Sequence, residues 1–264
     1  MTTTNCWGDT QAHDYQKLSN DLIRLLKLKT IVVGIKRYRT MEEVQAIPKV
    51  RIPAMGKKFN MDQIVGQSRW NGFTIGINAQ HLTGSQCSAV VGLTPRDEEF
   101  LNGKNFAGYW YENIEGSAKH QQEMACAPYG EYQALAVSPI TSGRLGNPDI
   151  CLIYATPGQM ITLINGLQYS GYKKYSFTCV GESACADSWG NALKTGEPSL
   201  SIPCYAERKF GGVTDDEMLI ALPPSYLPKI VQGLEALNKN GLRYPIPSAG
   251  IDTSPLDAFI AVYG

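Results

Sequence analysis

Short apolar runs alternate along this chain with segments whose apolar residues recur at helical spacing, and this alternation limits the folds open to it. A run rich in β-branched residues at 30–35 and a mostly apolar run at 217–222 predict strands. Residues 15–28 and 157–169 predict amphipathic helices. No clean strand–helix–strand repeat emerges. We therefore expect an α/β or α+β fold with a mixed sheet and interspersed helices, forming one compact domain of one or two lobes over residues 1–264.

Several further elements follow from the same patterns. Residues 149–155 and 175–180 predict strands, and a last helix begins near residue 225 and ends at Gly241. Residues 87–93 fit either a short helix or a short strand. The apolar end at 259–264 predicts a last strand or a docking tail.

The composition predicts a soluble protein with a sizeable core, since 43% of the residues are hydrophobic and 18% are charged. With 24 basic and 24 acidic residues the formal charge is zero, which gives no footprint for nucleic acid or an anionic membrane. The first residues are polar and resemble no secretory signal, so a cytoplasmic location is expected.

The chain has seven cysteines, an odd number that argues against a disulfide framework in a chain without a signal sequence. They are therefore free thiols, metal or cluster ligands, or redox-active groups. For each of them the alternative is a small buried hydrophobic residue. The cysteines are Cys6, Cys87, Cys126, Cys151, Cys179, Cys185 and Cys204.

Familiar catalytic motifs are absent from the sequence. There is neither a G-x-x-x-x-G-K-[ST] phosphate loop nor a G-x-G-x-x-G between a strand and a helix, so no nucleotide or dinucleotide is expected. No G-x-S-x-G, H-E-x-x-H or C-x-x-C occurs. Only three histidines are present, so a histidine-rich metal site is not expected.

The order of motifs in the last third resembles the DUF169 family of archaea and anaerobic bacteria. The motifs are Asp149-Ile-Cys-Leu-Ile-Tyr-Ala-Thr-Pro-Gly-Gln-Met160, Gly181-Glu-Ser-Ala-Cys-Ala-Asp187 and Thr195-Gly-Glu-Pro-Ser-Leu-Ser-Ile-Pro-Cys204. The resemblance implies a cytoplasmic setting in anaerobic metabolism and carries no activity. One departure is a cysteine that the family often has before the position of Cys87; here that region, residues 66–71, has none.

The leading hypothesis is an oxygen-sensitive enzyme or accessory protein with a cysteine-bound iron–sulfur cluster, which acts as a Lewis acid or an electron carrier. A [4Fe–4S] cluster takes four thiolates, and four cysteines stand in separate loops or element ends. The expected ligands are Cys87, Cys126, Cys185 and Cys204, with Cys179 in reserve.

Two alternatives stay open. One is a cofactor-free or metal-dependent enzyme acting on a small, aromatic substrate, with Asp187, Glu182 and Arg208 as acid–base and anion-holding groups. Its pocket would be lined by aromatic residues, namely Trp70, Tyr109, Trp110, Tyr111 and Trp189. The other is a non-catalytic binding protein. Self-association as a homo-oligomer is expected in each case.

Overall fold

The computed structural model describes residues 14–83 and 86–247, and one six-stranded sheet organises this part of the chain. The strand order is β2-β3-β1-β4-β6-β5, and every pair of neighbouring strands is antiparallel. This resolves the expected fold class as α+β. The strands are β1 (Val33–Tyr38), β2 (Ile75–Asn78), β3 (Ala134–Pro139), β4 (Ile150–Ala155), β5 (Ser199–Ser201) and β6 (Met218–Leu222).

Helices occupy both faces of the sheet. A π-helical segment, Ala186–Gly190, leads directly into the eighth helix. None of the helices within the described ranges is long and apolar enough to cross a lipid bilayer. The α-helices are α1 (Tyr15–Leu26), α2 (Met41–Gln45), α3 (Met61–Asn71), α4 (Gln86–Val90), α5 (Glu98–Leu101), α6 (Ile114–Glu123), α7 (Pro157–Gln168), α8 (Asn191–Thr195), α9 (Tyr205–Gly211) and α10 (Leu227–Lys239).

The apolar core is divided by the sheet into two layers. Helices α1, α7 and α10 cover one face, where Cys151 and Ile153 of β4 are fully buried. Helices α3 and α4 and the π-helical segment cover the other face, where Leu152 of β4 and Trp189 are fully buried. Because alternate residues of a strand point to opposite faces, β4 is buried along its whole length.

Close packing of two helices on the second face depends on glycine. A Cβ added to Gly66 of α3 would lie 2.7 Å from the carbonyl oxygen of Gly211 at the end of α9. No side chain fits in that space, so the two backbones touch. The end of α9 also lies against the first turn of α3, since a Cβ added to Gly211 would be 3.5 Å from the Cβ of Asp62.

The structure corrects one predicted element and decides between the two forms left open for another. The predicted strand at 175–180 is wrong, because this segment is an irregular, largely exposed loop. Its backbone hydrogen-bonds to a side chain and not to a neighbouring strand, since the N–H of Val180 donates to the Asp187 carboxylate at 2.8 Å. Residues 86–90 are helical, which decides between the two forms left open for 87–93. The predicted element at 259–264 lies outside the described residues.

Candidate functional site

Two of the predicted ligand cysteines meet in the interior beneath the sheet. Cys87 lies on α4, and Cys185 comes directly before the π-helical segment. Their Sγ atoms are 2.9 Å apart, and both residues are buried. A disulfide bond is about 2.05 Å long, so the two groups are thiols in contact. Single-turn π-helical segments inside helices are frequent at functional sites.

A third thiol, that of Cys204, belongs to the same group. Cys204 is the N-cap residue of α9 and is buried. Its backbone N–H donates to Glu207 Oε2 at 3.1 Å, which closes the first turn of the helix. Negative charge on Cys204 raises the pKa of Cys185, and negative charge on Cys87 raises the pKa of Cys204, so the three thiols interact electrostatically. Three of the four expected ligands therefore come together.

Three carboxyl groups complete what we call the thiol–carboxylate cluster, which comprises Asp62, Cys87, Glu182, Cys185, Cys204 and Glu207. The Sγ of Cys87 lies 3.8 Å from Asp62 Oδ1, and the Glu207 side chain is 1% exposed. Glu207 Oε1 is buried without a hydrogen-bond partner. Four separate segments of the chain thus supply acidic groups to one interior site.

Burial sets the acid–base properties of these carboxyl groups. It raises the pKa of Asp62 to about 6, against a lowering effect of the Cys87 contact. Burial first and the charge of Asp62 second raise the pKa of Glu207 to about 8. The pKa of the half-buried Glu182 is also raised by burial. Around neutral pH the cluster therefore retains protons that exposed carboxyl groups would have released.

The thiols are held in the protonated form for the same reasons. The hydrogen bond with Cys185, burial and the charge of Asp62 raise the pKa of Cys87. The bond from Cys87 is the largest single effect and lowers the pKa of Cys185, but burial and the nearby acidic groups together outweigh it and raise the pKa to about 12. Burial, followed by the charge of Glu207, raises the pKa of Cys204. A thiolate is needed for nucleophilic attack or metal binding, so these thiols need a nearby positive charge to react.

In the described part of the chain, no Lys or Arg side chain donates a hydrogen bond to the thiol–carboxylate cluster, so none supplies the positive charge in this way. The buried Arg69 of α3 is paired with Glu217 and also donates to Thr30. The charge of Arg208 lowers the pKa of Glu207, but its guanidinium donates to the Thr214 carbonyl at the surface. Within residues 14–83 and 86–247, no group of three or more His, Cys, Asp or Glu side chains is arranged to hold a metal ion as it stands.

The other predicted site residues lie apart from the cluster or at its edge. Glu182 is the predicted catalytic residue that the structure places in the cluster. Asp187 accepts from Thr178 Oγ1 at 2.9 Å and from the Val180 N–H, so it fastens the 175–180 loop. Arg208 lies near the surface, 3.7 Å from Asp215.

Two further cysteines that were predicted as ligands or reserves are also placed apart. Cys126 is half-buried and lines a cavity, and the charges that act on it are those of Arg96 and Lys194. Cys179 is exposed on the irregular loop.

The aromatic residues named as pocket candidates differ in their burial and contacts. Trp189 is fully buried in the core, whereas Tyr109 is 88% exposed. The ring of Trp110 packs against Tyr205 with centroids 5.6 Å apart, and Trp70 donates from Nε1 to the Gly212 carbonyl. An aromatic substrate pocket built from these residues stays a prediction.

Asp62 and Glu207 are the site residues that sequence reasoning missed. Each has a local signal in the sequence. Asp62 stands two residues after Asn60, whose side chain caps α3, and Glu207 stands three residues after Cys204, at the capping-box spacing. These signals place both residues in first helical turns, but only the contact between α3 and α9 brings them together.

The structure defines an α+β protein with a buried cluster of thiols and carboxyl groups next to a π-helical segment. The DUF169 family, described as uncharacterised ArCR, matches residues 21–233, so the chain belongs to that family. An uncharacterised protein of Methanocaldococcus jannaschii is 26% identical over 89 residues, which cover 33% of this chain and 38% of that protein. No solved structure matches.

Proposed function

We propose that the thiol–carboxylate cluster binds an iron–sulfur cluster of the [4Fe–4S] type, with Cys87, Cys185 and Cys204 as thiolate ligands. The single observation that supports this most is the gathering of three thiols and three carboxyl groups from four segments, without a Lys or Arg hydrogen-bonded to them among the described residues. Three protein thiolates leave one iron of such a cluster open to a small molecule. The open iron would polarise an oxygen atom of that molecule as a Lewis acid.

The energetics favour a cation over an empty site. Burying an acidic group without a partner is costly, so an empty cluster must keep its protons. A bound metal reverses this, because it stabilises the thiolates and neighbouring carboxylates that burial otherwise disfavours. The unpartnered Oε1 of Glu207 and the carboxylate of Asp62 would then interact with the metal charge instead of repelling each other.

Binding requires a rearrangement of the thiol pair. In a [4Fe–4S] cluster each thiolate binds a different iron, so two ligand sulfurs lie farther apart than the roughly 3.8 Å between two thiolates that share one metal at about 2.3 Å and tetrahedral angles. Cys87 Sγ and Cys185 Sγ, at 2.9 Å, must therefore separate before both can bind iron. Asp62 lies in the first turn of α3, and its carboxylate is available as an oxygen ligand.

The test is the absorbance, iron and sulfide content of protein purified without oxygen. We expect a broad band near ~400 nm that fades in air, with iron and sulfide in stoichiometric amounts. Separate Cys→Ser changes at Cys87, Cys185 and Cys204 should each remove most of the iron. Cys126→Ser decides whether the fourth expected ligand takes part.

Cys179→Ser is the matched control, because Cys179 is exposed on the loop and should leave the iron content unchanged. Folded protein that stays free of iron after anaerobic reconstitution with iron and sulfide would refute the proposal. So would equal iron in the wild type and in all three cluster variants.

A second candidate function is thiol–disulfide chemistry, and the 2.9 Å contact between Cys87 and Cys185 favours it. Oxidation by a small disulfide would join the two sulfurs and pass two electrons and two protons to the oxidant, which leaves as two thiols. The raised thiol pKa values slow the first attack, which ranks this candidate second. Replacement of Cys204 distinguishes the two candidate functions, since Cys204 is needed to bind iron but not to form the Cys87–Cys185 disulfide.

We also propose a cytoplasmic setting in anaerobic metabolism and assembly into a homo-oligomer. An oxygen-sensitive cluster suits that setting. Contact between copies would bury exposed aromatic surface such as Tyr109 and Trp110, which are 88% and 46% exposed. Light scattering of the purified protein tests the assembly, and a monomer at all concentrations would refute it.

A further inference from the structure

Cys126 lies beside a cavity that the cluster does not use. The cavity has a volume of about 500 Å³, and we call it the Cys126 cavity. A neighbouring cavity of about 360 Å³ shares Arg96, Met124 and Cys126 with it. Pockets of about 300–1,000 Å³ are typical for small-molecule ligands. The space therefore accommodates a small organic molecule.

The walls of the Cys126 cavity combine apolar surface with unfilled hydrogen-bond donors. Phe100 and Met124 supply apolar surface. Gln86 Nε2 is buried without a hydrogen-bond partner. Arg96 donates one N–H to the Gln121 carbonyl, which fixes the guanidinium and leaves its other donors available. The polar groups without a hydrogen-bond partner here are donors. A ligand that binds them must therefore present a hydrogen-bond acceptor.

The local charge favours an anionic acceptor. The pKa of Cys126 is raised by burial, and the positive charges of Arg96 and Lys194 both lower it, so they act at the same point of the cavity. Asp97 and Glu98 also line the cavity, but both are exposed at its rim. Asp97 Oδ1 is already engaged, since it accepts from the Glu99 N–H at 2.8 Å.

We propose that the Cys126 cavity binds a small carboxylate with an apolar body, held by Gln86 and Arg96, with the body against Phe100 and Met124. A short path links this ligand to the thiol–carboxylate cluster. Gln86 precedes Cys87 in α4, and its Oε1 accepts from Ser183 Oγ, two residues before Cys185. A role of this carboxylate as the substrate rests on the proposed function, whereas its binding in the cavity does not.

Benzoate and its neutral counterpart benzamide are the probes, measured by calorimetry on the full chain. We expect benzoate to bind roughly tenfold or more tightly than benzamide, because only benzoate forms charge-assisted bonds with Arg96. Arg96→Met should weaken benzoate by a similar factor and leave benzamide unchanged. Lys194→Met, at an exposed rim position, should weaken benzoate less and serves if the Arg96 variant does not fold.

Alkylation gives a second readout at the cavity itself. Bound benzoate should slow the reaction of iodoacetamide with Cys126, followed by peptide mass spectrometry, and leave exposed Cys179 unaffected. Metal-free wild-type protein should bind benzoate as tightly as protein reconstituted with iron and sulfide, so that loss of iron and loss of the carboxylate site are distinguished. Equal affinity for the two probes, no binding of benzoate at millimolar concentration, or unprotected Cys126 would overturn the proposal.

Discussion

Replacement of Glu207 by Gln tests how strongly the buried acidic groups destabilise the metal-free protein. In the folded chain the pKa of Glu207 is raised by burial, with a further contribution from Asp62, from 4.5 to about 8. An unfolded chain returns the group to its ordinary value. Between these two values the folded protein holds a proton that the unfolded protein releases, so stability is full at low pH and falls as the pH rises.

The size of the effect follows from the separation of the two pKa values. A difference of about 3.5 pH units corresponds to about 5 kcal/mol at alkaline pH, and about 3 kcal/mol of it develops between about pH 5 and pH 8. Gln keeps a carbonyl oxygen for the N–H of Cys204, so the capping bond survives. It carries no group that titrates in this range, so the penalty disappears.

The assay is urea unfolding of metal-free protein under anaerobic conditions at several pH values from 5 to 8. The free energy of unfolding of Glu207→Gln minus that of the wild type should grow by about 3 kcal/mol over this range. Glu235→Gln, at an exposed position on α10, controls for the removal of a carboxylate as such. Parallel pH profiles for the wild type and Glu207→Gln would refute the assignment of Glu207 as a buried, protonated acid.

Two substitutions test the packing around the site. Gly66→Ala should force α9 away from α3, cost about 1–3 kcal/mol in urea unfolding and lower the iron content, because Cys204 and Glu207 move with α9. Gly233→Ala creates a similar backbone clash between α10 and α7 on the opposite face, so it should lower stability and spare the iron; equal iron loss in both would contradict this. Arg69→Met should cost about 3–5 kcal/mol, since it leaves Glu217 buried without its partner, and an unchanged urea midpoint would show that the pair contributes little.

Elements with a clear period could be predicted from the sequence, and elements defined by distant partners could not. The helices at 15–26 and 157–168 carry an apolar stripe and sharp ends, and the structure confirms both. The strand predicted at 175–180 alternates apolar and polar residues as an edge strand does, but no strand pairs with it and Asp187 takes its backbone N–H. Helix α6 was missed because its sequence is polar, although Asn113 marks its start.

The thiol–carboxylate cluster shows the same limit at the level of function. Free cysteines in separate segments led to the hypothesis of a thiol site, but no local pattern tells which of them meet. Cys87 and Cys185 meet where α4 lies against the π-helical segment, and Gly66 and Gly211 meet where α3 lies against α9; both contacts are long-range properties of the fold. The contact between α3 and α9 adds Asp62 and Glu207 to the thiols and creates the excess of buried acid. If that excess selects for a cation, iron binding should release protons, and the number released should fall when Glu207 is replaced by Gln.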